Sequence, residues 1–330
     1  MQIAILGAGS WGAALGQVLH ENGSEVLLWH LEADLVDKIN LSHEHPFLPG
    51  FTLSKELIFT ASLDEIAEYG DMLVSALPSQ VVRNVLDEFP SGWEKPVISV
   101  SKGIENNTGM RMSQVIVETL HLPQNKVVIL SGPSHAEEVV QKYPTTVVAA
   151  CLDIDHARDI QKLFSNEYFR VYASTDVAGV EFGGAAKNII ALAAGICHGL
   201  GFGDNTKAAL ATRGLEEIIR LGTELGAERA TFSGLSGMGD LVVTAYSSHS
   251  RNRKVGTRIG KGENLSDILS SMEMVAEGVE TTRSIHFLSQ KHNIEMPICE
   301  QIYKVLFEDY SPRKGILELM GRELVDEHSV

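Results

Sequence analysis

The chain of 330 residues exceeds the usual size of a single hydrophobic core, and 44% hydrophobic residues can furnish two. Its formal charge of -16 argues against a nucleic-acid surface or an anionic membrane patch, which need clustered excess Lys and Arg, so an anionic ligand must be met by local basic groups. Cys151, Cys197 and Cys299 are odd in number and far apart, which speaks against a disulfide framework or a zinc site and for a reducing, cytoplasmic setting.

The chain opens on QIAILGAGSWG at 2–12, where a strand-like apolar run meets three glycines and then a helical pattern over 11–21. Gly7, Gly9 and Gly12 satisfy G-x-G-x-x-G: the first allows a tight turn, the second lets backbone approach a pyrophosphate, and the third lets helix pack on strand. Roughly 0.2 such patterns arise by chance at this glycine content, so the strand before and the helix after carry the inference of dinucleotide binding. Asn22-Gly23 breaks the helix, and 25–29 reads as a second strand. An acid at that strand's end would bond the adenosine ribose and reject a 2'-phosphate. Here Trp29, His30 and Leu31 precede Glu32, which leaves NAD and NADP both open, with His30 either at the ribose or solvated.

Further strands are expected at 71–76, 97–100, 127–130 and 145–150, each followed by a turn or helix. This alternation predicts an α/β fold, a Rossmann-type doubly wound and mostly parallel sheet whose ligands collect at the strands' carboxyl ends. Three short motifs fall at such ends: 76–79, 101–103 and 131–136. Lys102 is either an exposed loop lysine or, as its placement at a strand end beside Gly103 favours, a ligand contact. From Asp176 the strands cease and helical periodicity takes over at 179–198, 206–225, 265–272 and 280–290. The expected organisation is a dinucleotide-binding domain at 1–175 and an all-α second domain at 176–330. No repeat or low-complexity linker interrupts it, and the polar tail 322–330 is expected to fray. The most apolar stretch, 189–197, falls short of the ~20 residues of a membrane span, and no basic signal-like segment opens the chain, so a soluble, unsecreted protein without membrane insertion is expected.

Between its ends the segment 181–204 holds one formally charged residue, Lys187. Burial among small apolar neighbours would push its pKa toward the range useful for proton transfer, unless the ammonium snorkels to water. Gly183, Gly184, Ala185 and Ala186 would clear space there for cofactor or substrate, and His198 reads as a core or helix-end residue. Farther on, the glycine-dense loop 234–240 closes on Asp240, able to cap a helix or pair with Lys187. Ser250, Arg251 and Asn252 open a stretch with four basic residues within 251–258, a candidate phosphate clamp or else a solvated helix face. A dinucleotide site, a lone lysine and an oxyanion clamp together describe hydride transfer to a small phosphorylated carbonyl compound. No metal is required, since an ammonium can stabilise the developing alkoxide.

GAGSWG at 7–12, SKGIE at 101–105, GPSHAEEV at 132–139, GAAKN at 184–188, GLSGMGDL at 234–241, SRN at 250–252 and MVAEG at 274–278 closely resemble the bacterial type of NAD(P)-dependent glycerol-3-phosphate dehydrogenase, in order and over nearly the whole chain. The resemblance implies reduction of dihydroxyacetone phosphate to sn-glycerol 3-phosphate, a phospholipid precursor, with NADH or NADPH. It implies that Lys187 is the general acid/base, assisted by Lys102 and Asp240, and that Lys102, Gly132, Ser134, Lys187, Asp240, Ser250, Arg251 and Asn252 meet the substrate. It further implies cofactor contacts from Gly7, Gly9, Ser10, Trp11, Gly12, His30, Leu31, Lys102, Ala136, Arg251, Val275 and Glu277. Leu31 stands where the family often has Arg or His, which keeps cofactor preference open, and Met238 stands in a loop that usually reads G-L-G-D. Another two-domain dehydrogenase of the hydroxyacid or 6-phosphogluconate type would lack SRN after the GxGD loop. A cofactor-sensing protein without chemistry would not need Lys187, Asp240 and Arg251. A homodimer is the expected assembly.

Overall fold

In the computed structural model, which describes residues 1–324, 326 and 327, a sheet runs through the first half of the chain. Its strands among the described residues are β1 (Gln2–Leu6), β2 (Glu25–Trp29), β3 (Ile58–Thr60), β4 (Met72–Ser75), β5 (Val97–Ser99), β6 (Val127–Ser131), β7 (Thr145–Ala150) and β8 (Phe169–Ser174). They lie in the order β3-β2-β1-β4-β5-β6-β7-β8, parallel throughout except for the antiparallel pair β6 and β7. The order reverses between β1 and β4, which opens a crevice at their carboxyl ends. Leu6 pairs with both Trp29 and Ser75, and Ser75 with Ser99, so the loops that follow β1, β2, β4 and β5 leave the sheet side by side. Helices cover both faces of these strands, which accounts for their almost uninterrupted apolar burial.

Two strands fall outside the sequence expectation. β3 is three residues long and pairs only with β2, while β8 alternates buried Phe169 and Val171 with exposed Arg170 and Tyr172, the pattern of an edge strand. β8 carries the α/β architecture up to Ser174, immediately before the helical half begins.

The chain separates into two compact units, Met1–Lys102 with Arg111–Val177, and Gly103–Met110 with 178 onward. The excursion 103–110 lies within the span expected for the first domain, yet it packs with the helices. Ile104 is fully buried in their core, its carbonyl accepts the Ser284 hydroxyl at 2.7 Å, and Asn106 donates to Glu280 at 2.6 Å.

At the centre of the second unit is the helix Val177–Gly199, long and apolar enough to cross a bilayer but buried throughout its apolar window. Around it pack the helices Asp204–Glu224, Asp240–Tyr246, Arg251–Gly260, Glu277–His292, Pro297–Phe307 and Pro312–Met320. The last two begin with proline at the first turn, where its missing N–H costs nothing. Glu217, 3% exposed, accepts the backbone N–H of Ile298 at 2.7 Å and of Cys299 at 3.1 Å, tying its helix to the start of Pro297–Phe307; burial pushes its carboxyl up to about 7 against those two bonds. The expected fraying of the tail falls partly on Val325, His328, Ser329 and Val330, which lie outside the described residues.

Candidate active site

β1 delivers the chain into the glycine turn. Gly7 has φ +103°, and a Cβ there would stand 2.7 Å from the Ala76 carbonyl oxygen after β4. A Cβ on Gly12 would run into the Gly7 carbonyl oxygen, whereas one on Gly9 would meet no atom within 4 Å. Gly7 and Gly12 are therefore demanded by the fold, whereas the open space at Gly9 leaves its backbone accessible to an approaching group. The N–H groups of Gly7 and Ala8 both donate to the Trp29 carbonyl, at 3.2 and 2.8 Å, which fastens the turn to β2. The helix Ser10–Glu21 starts here without an acidic residue in its first turn, so its N-terminal dipole is available to an anion. Trp11 packs against the core with its indole N–H buried and without a hydrogen-bond partner among the described residues. Open backbone at Gly9, an uncompensated helix start and an orphan donor suit a dinucleotide's pyrophosphate. His30 sits half-buried just past β2; its Nδ1 accepts the Glu32 N–H at 3.1 Å, and burial pushes its pKa down, opposed by Glu32. Leu31 is 77% exposed.

The loops after β4, β5 and β6 are tied together. Ser101 donates to the Leu77 carbonyl at 2.6 Å, and the Lys102 ammonium and Ser134 hydroxyl both donate to the Gly132 carbonyl at 2.9 Å. Gly132 has φ +147°, and a Cβ there would crowd Val147 at 2.9 Å. Lys102, Gly132 and Ser134 thus converge, with Ala136 opening the next short helical turn, Ala136–Val139.

In the second unit Lys187 does not snorkel. It is 5% exposed, and its ammonium donates to the Asp240 carboxylate, itself 1% exposed, and to the Thr244 hydroxyl at 2.7 Å. The Thr244 hydroxyl donates its own hydrogen bond to the Asp240 backbone carbonyl at 2.7 Å, leaving its lone pair toward the ammonium. The buried charge is thereby paired and hydrogen-bonded, the condition under which burial is tolerated. Asp240 both pairs with Lys187 and begins the helix Asp240–Tyr246, which presents Thr244 one turn later on the same side. Thr244 was not legible in the sequence without that register.

Gly183 serves a different purpose from the ligand clearance expected of it. A Cβ there would lie 2.6 Å from the Ser236 carbonyl, so its missing side chain admits the wide helical turn Leu235–Gly239 rather than a ligand, and Ala185 and Ala186 are buried in the core. The turn needs Gly237 because a side chain would strike the Phe232 backbone. This packing is what carries Asp240 to Lys187. His198 lies exposed near the end of its helix.

Ser250 caps the helix Arg251–Gly260 by accepting the Arg253 N–H at 3.2 Å. Arg251 donates to the Val275 carbonyl at 2.9 Å, and Asn252 donates to Asn188 and accepts the Gly278 N–H, both at 2.9 Å. Asn188 adjoins Lys187, so one hydrogen-bond chain joins the lysine's helix, the SRN turn and the start of the helix Glu277–His292. Arg258 lies near the far end of its helix and is held by Glu263 at 2.8 Å and Ser271 at 2.6 Å, which leaves the first turn as the candidate anion site. The helix crosses Val177–Gly199 backbone to backbone: side chains on Gly195 and Gly199 would strike the Arg253 and Thr257 carbonyls, and side chains on Gly256 and Gly260 those of Leu192 and Ile196.

Residues 2–157 match the family model of the NAD-dependent glycerol-3-phosphate dehydrogenase N-terminus, and residues 176–317 that of its C-terminus. The chain is 47% identical over 325 residues to the NAD(P)+ glycerol-3-phosphate dehydrogenase of Lysinibacillus sphaericus, covering 97% of this chain and 96% of that one. Its identity to the enzyme of the same name from Carboxydothermus hydrogenoformans is also 47%, over 99% and 98% of the two chains. The crystal structure of glycerol-3-phosphate dehydrogenase from Coxiella burnetii superposes with a TM-score of 0.91 at 35% identity, covering 97% of this chain and 98% of that one.

Proposed function

The chain belongs to the NAD-dependent glycerol-3-phosphate dehydrogenase family, and from that premise we propose that it reduces dihydroxyacetone phosphate to sn-glycerol 3-phosphate with Lys187 as the general acid. The observation that carries this assignment is the buried Lys187, held by Asp240 and Thr244. The reduced nicotinamide, when bound, supplies the hydride to the carbonyl carbon. Lys187 gives the proton from Nζ to the carbonyl oxygen, and in the oxidative direction takes it back from the hydroxyl. Asp240 keeps the ammonium in place between turnovers, and Thr244 fixes its direction.

Gly7, Gly9, Ser10, Trp11 and Gly12 hold the pyrophosphate, with His30 and Leu31 beside the adenosine end and Ala136 as a further contact. Arg251, Val275 and Glu277 are additional cofactor contacts. Ser250, Arg251 and Asn252 receive the substrate phosphate at a helix start, where a guanidinium, neutral donors and the dipole act on the same anion. Lys102, Gly132 and Ser134 complete the substrate contacts. The protein acts in the cytoplasm, in keeping with its free, buried Cys151, Cys197 and Cys299, as a homodimer.

Initial rates on dihydroxyacetone phosphate with NADH and with NADPH test substrate and cofactor together. Lys187→Ala is expected to lower kcat by about a hundred- to ten-thousand-fold while NADH binding persists, the range for loss of a positioned acid. A variant with near-normal kcat removes Lys187 from the mechanism.

A further inference from the structure

His45 lies on the excursion between the helix Ala33–Ser42 and β3, with no place in the glycine motif, yet it is 2% exposed and its ring reaches the glycine turn. Nε2 bonds the Ala8 carbonyl at 2.8 Å, and Nδ1 faces the Phe47 N–H at 3.2 Å. Phe47 can only donate, so Nδ1 accepts, and the proton on a neutral ring belongs to Nε2, donating to Ala8. The excursion is itself anchored. Its Leu48 and Leu53 are buried in the core of the first unit, their N–H groups donate to the His45 and His43 carbonyls at 2.9 and 2.8 Å, and Glu44 bridges to Thr52.

The Ala8 carbonyl belongs to the same peptide plane as the Gly9 N–H. Because that plane is rigid and trans, holding the carbonyl sets the direction of the N–H on its opposite side. The Ala8 N–H is already committed to Trp29 at 2.8 Å, which fixes the peptide before, and His45 fixes the peptide after. Gly9 is the position whose missing Cβ faces open space. We infer that His45 is a positioning residue of the cofactor site: its neutral ring clamps the Ala8–Gly9 peptide and so aims the Gly9 N–H at the cofactor's pyrophosphate. This rests on the assignment of Gly7, Gly9 and Gly12 to the cofactor.

The clamp works only with a neutral imidazole, because a second proton on Nδ1 would oppose the Phe47 N–H. Burial, with His30 repelling charge on the ring, pushes its pKa below the ordinary 6.5, opposed by the Ala8 bond. The other titratable groups on or against the excursion are Lys38 on the preceding helix, His43 and Glu44 just before His45, Lys55 and Glu56 at its far end, His20, which bonds Ser54, and Glu32 next to His30. His45→Gln sets an amide N–H near the place of Nε2 and does not titrate. His45→Phe keeps the ring and removes the donor.

NADH affinity should be measured by fluorescence titration between pH 5 and 8, beside steady-state kinetics on dihydroxyacetone phosphate. His45→Phe should weaken NADH roughly tenfold, the effect of leaving one buried carbonyl unpaired in the binding turn, with the substrate KM within about twofold. His45→Gln should recover most of that affinity. Wild-type NADH affinity should fall as the pH drops below 6.5, more steeply than in His45→Gln. Wild-type affinity in His45→Phe, or a wild-type pH profile retained in His45→Gln, overturns the inference, and if His45→Phe does not fold the glutamine profile decides alone. Failure of the wild-type protein itself to bind NADH would instead remove the cofactor assignment beneath it.

Discussion

Replacing Glu217 by Gln should change how the stability of the second unit depends on pH. The carboxyl stands at about 7 in the folded chain against 4.5 when free, principally because burial disfavours its charge more than the Ile298 and Cys299 N–H groups favour it. Between those two values the folded state binds more protons than the unfolded one, so stability falls as pH rises. The contribution is fully present below 4.5 and lost as pH passes through about 7, and the gap corresponds to about 3 kcal/mol. A glutamine has the shape of the protonated acid and can still accept from one N–H, so wild type and Glu217→Gln should be nearly matched below 4.5. Above pH 7 the variant should be the more stable by up to about 3 kcal/mol. Denaturant titrations at intervals from pH 4.5 to 8, with amide exchange across Pro297–Phe307 to localise the change, give the difference directly. Parallel curves, or a wild type that gains on the variant as pH rises, would refute the argument that burial outweighs the helix-start bonds.

Gly9→Ala should leave stability within about 0.5 kcal/mol, since its Cβ meets nothing, and weaken NADH about tenfold or more by standing where the cofactor approaches. Gly12→Ala should instead destabilise the first unit by about 2 kcal/mol or more because of the clash with the Gly7 carbonyl, which thermal unfolding would detect. Thr244→Val, close to isosteric, should lower kcat about tenfold by freeing the direction of the Lys187 ammonium; an unchanged kcat would confine Thr244 to packing. Arg251→Ala should raise the KM for dihydroxyacetone phosphate about tenfold or more, and an unchanged KM would argue against a phosphate contact there.

What could be read in advance depended on how local the cause was. β1, the glycine turn and the following helix were legible because a strand period, three glycines and a helix period adjoin within 2–21. Lys187 stood out because it is the lone charge in an apolar helix, and Asp240 because it ends a glycine-dense loop. β8 was missed because its six residues end just before the helical half begins. The exchange of 103–110 into the second unit was also hidden, since its ties to Glu280 and Ser284 lie more than 170 positions away. Gly183 was assigned to a ligand because a glycine looks the same in sequence whether a cofactor or another backbone occupies its space. His45 left no pattern at all, because its partner is a main-chain carbonyl, and every residue has one.

The glycine crossing of Val177–Gly199 and Arg251–Gly260 makes the second unit a ruler. With four glycines placing each helix's backbone against the other's carbonyls, neither can slide or roll without collision, so the spacing of the helices that carry Lys187 and Ser250 is set by main chain, and Asp240 and Thr244 fix the ammonium upon it. On the proposed phosphate contact at the Ser250 turn, a substrate would present its carbonyl to the lysine only when the number of bonds between the two groups matches the spacing. Length discrimination among phosphorylated ketones would then be a property of two helices, and widening any of those four glycines by a methyl should blur it.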